Sequence, residues 1–201
     1  MATPKQELRR MLRKQLAEIP SGVFQDEGKR AAEYMAQYQP WRDAETVLLF
    51  LSAPGEIETA PLLDLAFREG KRVFLPKVEG EIARFFRIES ADGPWQTGAF
   101  DIREPLIENP DRCEEFPPRN GGSGKTVVLV TPGMAFDRQG NRMGHGKGYY
   151  DRFFARLDGL GLPYSRVALC LEQQIVPEVP VESWDKKMDA ICTGTGILSI
   201  L

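Results

Sequence analysis

A chain of 201 residues is long enough for one domain with a full core, and 42% apolar with 27% charged residues is the balance of an ordinary globular protein. A net charge of −3 offers no general surface for nucleic acid or membrane, and three widely spaced cysteines, Cys113, Cys170 and Cys192, argue against a disulfide framework or zinc site. They point instead to a reducing compartment. No apolar run approaches the about 18 residues of a membrane span, and no apolar signal core follows Met1, so the cytoplasm is the expected address.

Residues 4 to 18, PKQELRRMLRKQLAE, predict a helix with Leu8, Met11, Leu12 and Leu16 as its buried stripe. Lys5, Arg9 and Arg13 recur every four residues along a second, cationic face. That face is either simply solvated or a donor of cations to a distant anion. Ser21 to Gln39 predicts a second helix, with Phe24, Ala31, Tyr34, Met35 and Tyr38 inward and Pro40 ending it.

TVLLFL, Thr46 to Leu51, is a short continuous apolar run of the kind found in buried parallel strands. The loop SAPGEIET follows, and Thr59 is placed to cap a helix over Ala60 to Glu69. KRVFLP, Lys71 to Pro76, is a second strand. A strand–helix–strand unit makes a parallel sheet whose ligand sites lie at the carboxyl ends of its strands. Glu56 and Glu58 stand in that loop, either as solvated acids or as a carboxylate for the N–H donors of a heterocycle.

EIARFFRIE, residues 81 to 89, reads as a strand antiparallel to a neighbour. From Ser90 to Gly124 proline, glycine and acids predict a surface excursion, flexible over 106–125, in which TGAFDIREP can still fold over a ligand. GSGKT, Gly122 to Thr126, imitates the end of a P-loop, but Arg119 stands where the first glycine belongs and a strand follows instead of a helix. Thr126 to Pro132, Arg166 to Leu171 and Met188 to Thr193 are further strands, with Cys170 as core filler. GILSIL is a short strand or a packed tail.

Residues 131 to 152, TPGMAFDRQGNRMGHGKGYYDR, hold most of the chemistry. Gly144, Gly146 and Gly148 alternate, which lets the backbone approach a ligand and turns successive N–H groups into one concavity. Arg142 and Lys147 suit a polyanion, and a helix from about Tyr149 aims its N-terminus at the same place. Tyr149 occupies the third-glycine position of a dinucleotide fingerprint, so no Rossmann cofactor is indicated. His145 is the only histidine, hence no nucleophile with a paired base can be built around a second one. It is either a surface residue or a ligand contact. Asp151 is either a solvated first-turn acid or a ligand for a hard cation such as Mg²⁺. Positioning and charge neutralisation without a protein nucleophile suit phosphoryl transfer. The expected fold is a three-layer α/β/α sandwich with a mainly parallel sheet, one domain over 1–201.

PGMAFDRQGNRMGHGKGYYDR resembles the signature of the 5-formyltetrahydrofolate cyclo-ligase family, also called methenyltetrahydrofolate synthetases. KQELRR, FLSAPGEIET, GKRVFLPKV and KKMDAI resemble that family in the same order, while RCEEFPPRNGGSGK has no clear counterpart. The resemblance implies an ATP- and Mg²⁺-dependent conversion of 5-formyltetrahydrofolate to 5,10-methenyltetrahydrofolate. The formyl oxygen attacks the γ-phosphate, and the nitrogen at position 10 then closes the ring and expels phosphate. It implies that Lys5, Arg9, Arg142, Met143 and the loop Gly144, His145, Gly146, Lys147, Gly148, Tyr149 and Tyr150 hold ATP. Arg142, Lys147 and Tyr149 would be catalytic, and Asp151 and Asp189 would hold Mg²⁺. Glu56 would anchor the pterin with Leu51 lining its pocket, and His145, Gly146, Lys147, Gly148 and Tyr149 would also touch the folate. Tyr149, Tyr150 and Phe100 would stack on its rings. The partners would be these small molecules, with no nucleic acid and no membrane, and the chain would be a monomer. The alternative is a family member that binds nucleotide or folate without catalysis.

Overall fold

The computed structural model describes residues 2–98, 102–118 and 126–200. Five helices are α1 (Pro4–Ala17), α2 (Ser21–Met35), α3 (Gln39–Asp43), α4 (Ala60–Arg68) and α5 (Tyr149–Gly159). The first strands are β1 (Thr46–Leu48), β2 (Arg72–Glu79), β3 (Ile82–Ile88), β4 (Trp95–Thr97), β5 (Arg103–Pro105) and β6 (Glu115–Phe116). β7 (Val127–Thr131), β8 (Ala135–Phe136), β9 (Arg142–Met143), β10 (Ser165–Leu169), β11 (Ala190–Thr193) and β12 (Gly196–Ser199) complete the chain.

The main sheet has eight strands in the order β12-β11-β10-β7-β1-β2-β3-β6. Its centre, β11 to β2, is parallel, and antiparallel β12, β3 and β6 extend it at the edges. The central strands read as continuous apolar runs because both faces are covered. Val47, Val128, Val130, Val167 and Leu169 meet α1, α2, α3 and α4 on one side. Leu48, Val127, Leu129, Ala168 and Cys170 meet Phe153, Phe154 and Leu157 of α5 on the other. This is the three-layer sandwich expected from the strand–helix alternation, and Cys170 is the core residue expected of it.

Two crossovers set the site. β1 leads through α4 to β2, and β7 leads through α5 to β10 on the opposite face. β1 and β7 are neighbours whose connections depart in opposite directions. Their carboxyl ends therefore flank a topological switch point, where the diverging loops leave a crevice.

Several local expectations change. Pro40 opens α3 instead of ending α2, because a proline at the first turn surrenders no helical hydrogen bond. Met11 is 54% exposed and Tyr34 39% exposed, so the buried stripes of α1 and α2 rest on Leu12 and Leu16 and on Phe24, Ala31, Ala32 and Met35. Thr3 and Gln6 form a capping box on α1 that the sequence reading passed over. Thr59 makes no side-chain cap; its Oγ1 accepts instead from the Ser52 N–H at 3.1 Å. The segment 102–118 contributes β5, paired with β4, and β6, paired with β3. The first half of the expected flexible excursion is thereby tied to the sheet, and residues 119–125 lie outside the described residues.

Gly28 shows how α2 positions the loop after β1. A Cβ there would lie 2.2 Å from the Glu58 carbonyl oxygen. A helical Gly→Ala change elsewhere would stabilise by about 1 kcal/mol. Gly28→Ala is expected to destabilise by roughly 2–3 kcal/mol, since backbone must move apart. Thermal unfolding should then shift down by roughly 4–12 °C; an unchanged or raised Tm would show that the loop yields freely.

Candidate active site

The loops after β1, β2, β7 and β10 all leave the same edge of the sheet. After β1 the chain is cross-tied: Ser52 Oγ donates to the Ile57 carbonyl at 2.7 Å, and the Thr59 N–H donates to Ser52 Oγ at 2.8 Å. The clamp turns Glu56 inward, where Oε2 accepts the Ala53 N–H at 2.9 Å. Burial outweighs this single bond and pushes the Glu56 carboxyl up to about 7. Leu51, at the base of the loop, is buried in the core beneath the helices.

After β7 a small hairpin, β8 paired with β9, carries the loop outward and back. Asp137 is fully buried at its tip and accepts from the Gln139 and Asn141 N–H groups, both at 3.0 Å, and from the Val179 N–H at 2.9 Å. Gln174 braces the base, donating from Nε2 to the Gly133 carbonyl at 2.7 Å. The hairpin delivers Arg142 to the start of the glycine run. Arg142 is 4% exposed; Nη2 donates to Asp151 Oδ1 at 2.8 Å and Nη1 to the Pro132 carbonyl at 3.2 Å. Its guanidinium carbon stands 5.7 Å from the centres of both the Tyr150 and Phe154 rings. Among the described residues its Nε is buried without a hydrogen-bond partner. A charged donor left in that state calls for a partner, which an ordered water or a ligand oxygen can each supply.

Gly146 and Gly148 take φ of +107° and +68°, backbone that only glycine adopts without strain. A Cβ on Gly148 would meet Arg152 Nη1 at 3.0 Å. Arg152 pins the loop, donating from Nη2 to the Lys147 carbonyl at 2.8 Å and from Nε to the Glu81 carbonyl, at the β2–β3 turn, at 2.9 Å. Tyr149 Oη donates to the Gly80 carbonyl of that turn at 3.4 Å. From α1, Arg9 Nε donates to the Gly144 carbonyl at 2.9 Å. The cationic face of α1 is thus aimed at the glycine loop, as the four-residue spacing allowed.

His145 ties the two loops together, with Nε2 3.5 Å from Glu56 Oε1. Partial burial, then the positive field of Arg13, Arg142 and Arg9, holds the imidazole below its ordinary range. Near neutrality the contact therefore joins a neutral ring to a carboxyl that is partly protonated. Tyr150 lies in the second shell of rings, edge-on to Phe85 at 6.3 Å, and burial followed by the Glu56 charge pushes its phenol upward. Its ring is committed to packing and to Arg142, which leaves Tyr149 the more outward of the pair.

A cavity of about 120 Å³ opens between α1 and the glycine loop. Lys5, Arg9, Arg142, Met143, Gly144, Gly146, Gly148 and Asp151 line it, all anticipated from the sequence, and so do Glu182, Trp184 and Asp185, which were not. Lys147, also anticipated, is exposed on the same loop and is not among the lining residues. Lys5 donates to Glu182 Oε2 and Asp185 Oδ2, both at 2.6 Å. Burial opposes its charge, but the two carboxylates outweigh it and hold the ammonium above the usual lysine range.

Asp189 does not join this group. It stands before β11, at the opposite end of the parallel strands, where Oδ2 accepts the Arg166 N–H at 2.7 Å and Oδ1 faces Arg166 Nη2 at 3.3 Å. Arg166 also lies over Tyr164, which bonds Asp158 near the end of α5, whereas Asp151 is in the helix's first turn. The expected pairing of Asp151 with Asp189 is corrected on that ground: a helix separates them. Phe100 lies outside the described residues.

The model of the 5-formyltetrahydrofolate cyclo-ligase family matches residues 1–194. The chain belongs to this family. The cyclo-ligase of Escherichia coli is 31% identical over 93% of this chain and 98% of its own length, and the probable cyclo-ligase of Schizosaccharomyces pombe is 27% identical over 98% of each. The NMR structure of Aquifex aeolicus 5,10-methenyltetrahydrofolate synthetase superposes with a TM-score of 0.79 at 26% identity, covering 98% of this chain and 93% of that one. The cyclo-ligase resemblance read from the glycine run and its flanking segments therefore extends over the whole fold. No helix of the described residues is long and apolar enough to cross a membrane.

Proposed function

We propose that the chain converts 5-formyltetrahydrofolate to 5,10-methenyltetrahydrofolate at the expense of ATP, with Mg²⁺, releasing ADP and phosphate. The observation that carries this reading is the meeting of Glu56 with the glycine loop through His145. A carboxylate suited to the amino and ring N–H groups of a pterin adjoins a cationic cradle suited to a triphosphate. The formyl oxygen and the γ-phosphate would then react at the seam between the two loops.

In the reaction the formyl oxygen forms a bond to the γ-phosphorus and ADP departs. The nitrogen at position 10 next attacks the activated carbon, its proton passes to solvent or the departing phosphate, and the carbon–oxygen bond breaks to release phosphate. Both nucleophiles belong to the substrate, in keeping with a chain in which His145 is the only histidine. Arg142 and the loop from Gly144 to Tyr150 bind and orient the phosphates, Lys147 adds charge on that loop, and Lys5 and Arg9 act from α1. Such preorganised donors are the main source of catalysis in phosphoryl transfer. Tyr149 and Arg152 hold the cradle in register against the β2–β3 turn.

The residues present fit a magnesium ion. Asp151 lines the cavity beside two further carboxylates, Glu182 and Asp185, and Mg²⁺ takes one or two carboxylates together with phosphate oxygens. Asp151 is the residue that would hold it, and the ion would neutralise charge on the phosphates. Asp189, engaged by Arg166, is left out of this set.

The test is direct: purified protein is mixed with 5-formyltetrahydrofolate, ATP and Mg²⁺, and the methenyl chromophore is followed. The expected result is product that requires all three. No ATP-dependent product at any folate concentration would leave a non-catalytic folate or nucleotide binder.

A further inference from the structure

Glu104 is a buried carboxylate, 8% exposed, that neither the phosphate cradle nor the folate anchor uses. Its place follows from the way β2 outruns β1. The two strands pair only from Thr46 and Arg72 to Leu48 and Phe74, and the last bond is the Leu49 N–H on the Phe74 carbonyl at 2.9 Å. Beyond it, alternate residues of β2 still aim their backbone groups at the open edge. Pro76 has no N–H to satisfy. Val78 has one, and Glu104 Oε2 accepts it at 3.2 Å. A side chain takes the place of the missing strand.

The carboxylate is held from its own hairpin as well. Gln96 stands opposite Glu104 in the β4–β5 pair, and its Nε2 donates to Oε1 at 3.0 Å. Gly98 makes the room, since a Cβ there would lie 2.3 Å from Glu104 Cδ. Through this one side chain β4 and β5 are both tied to the end of β2. Trp95 of β4 packs on the core cluster that contains Leu51 and Ile57, which bracket Glu56 in sequence. The paired strands therefore stand beside the Glu56 loop, at the mouth of the crevice. The glycine loop is keyed to the next residues of the same ribbon, by Tyr149 on the Gly80 carbonyl and Arg152 on the Glu81 carbonyl. Val78 to Glu81 is thus a shared footing for two separate walls.

We propose that Glu104 is a positioning residue for the folate, locking β4 and β5 in place as the pocket wall beside Glu56. The proposal rests on reading Glu56 as the folate anchor. Glu104 touches no reacting atom and acts through the backbone it holds. Its removal strands the Val78 N–H and loosens this wall, while Gly80 and Glu81 still hold the phosphate cradle. Folate binding suffers and ATP use does not. Hydrogen bonding, not charge, is the requirement: an amide in this place accepts from Val78, and the Gln96 amide can turn to accept from it in its turn.

The experiment measures KM for 5-formyltetrahydrofolate, KM for ATP and kcat on the full chain, with folate binding in the absence of ATP followed by calorimetry. Glu104→Ala is expected to raise the folate KM and Kd by roughly five- to twentyfold, with ATP KM and kcat within about twofold of wild type. Glu104→Gln should restore folate binding. Gly98→Ala keeps the carboxylate but drives it from its seat, and should reproduce the folate defect. Amide exchange reads the latch itself: the Val78 N–H should exchange faster in Glu104→Ala while the β7 amides keep their protection. If Glu104→Ala unfolds early, Gly98→Ala and Gln96→Ala carry the comparison. Folded variants with an unchanged folate KM, or with folate and ATP constants that rise together, overturn the proposal. So does a Glu104→Gln protein as impaired as Glu104→Ala. Wild type that neither binds folate nor forms product overturns the reading of the site; wild type that does both, with no folate-selective loss in the variants, overturns the role of Glu104 alone.

Discussion

Arg142→Ala is expected to lower kcat/KM for ATP by roughly ten- to a hundredfold, the loss of one charge-assisted phosphate bond. The same change should destabilise the fold by roughly 2–4 kcal/mol, because it strands a partly buried carboxylate and empties the space beside two rings. Asp151 loses its 2.8 Å donor, the Pro132 carbonyl loses its own, and Tyr150 and Phe154 lose the guanidinium between them. Thermal unfolding should fall by roughly 4–16 °C. Arg142→Lys separates the two effects: an ammonium restores the charge but cannot serve Asp151, Pro132 and a ligand together. It should recover part of the stability and little of the ATP use. A variant with wild-type ATP kinetics would place the guanidinium outside the site.

Glu56→Gln should weaken 5-formyltetrahydrofolate by roughly a hundredfold while changing ATP binding little, since an amide offers the pterin N–H groups one weak acceptor and a mismatched donor. Equal losses for both ligands would assign Glu56 a role in folding. The acid also carries a pH signature. With its pKa pushed up to about 7 by burial, the anion needed for pterin binding forms only as pH rises through neutrality. Folate kcat/KM should therefore climb between about pH 6 and 8. Stability should run the other way. The folded chain holds the Glu56 proton up to about 7 while the unfolded chain releases it near the ordinary 4.5. Between those values the native state binds more protons, so stability falls as pH rises, by on the order of 3 kcal/mol in all. Glu56→Gln should flatten both profiles. A pH-independent folate KM in wild type would show that the carboxyl is already ionised.

Legibility differed from residue to residue. Gly146 and Gly148 could be found in the sequence because alternating glycines have few other uses, and their positive φ is the physical reason they are needed. Arg9 could be placed on the correct face of α1 by four-residue spacing alone, although its target, the Gly144 carbonyl, lies 135 residues away. Met11 misled, because helical periodicity marks a stripe without its width, and the sheet covers only the Leu12 and Leu16 side. Asp189 misled for a different reason: an acid before a strand looks the same in sequence whether it faces a ligand or an arginine on the next strand. Glu182 and Asp185 carried no local signal, since PVESWDKK reads as a proline-bearing connection.

The sequence by itself determined the layer order, the parallel centre of the sheet, the glycine cradle and the family, because apolar runs, turn residues and a long contiguous motif are local properties. Only the tertiary structure decided which charges meet. Crossovers on opposite faces brought the loop of Glu56 against the loop of His145, carried Asp189 to the far end of the strands, and set two acids on Lys5. Charge pairing acts through space over a few ångströms, while the residues that make it lie up to 180 positions apart in the chain.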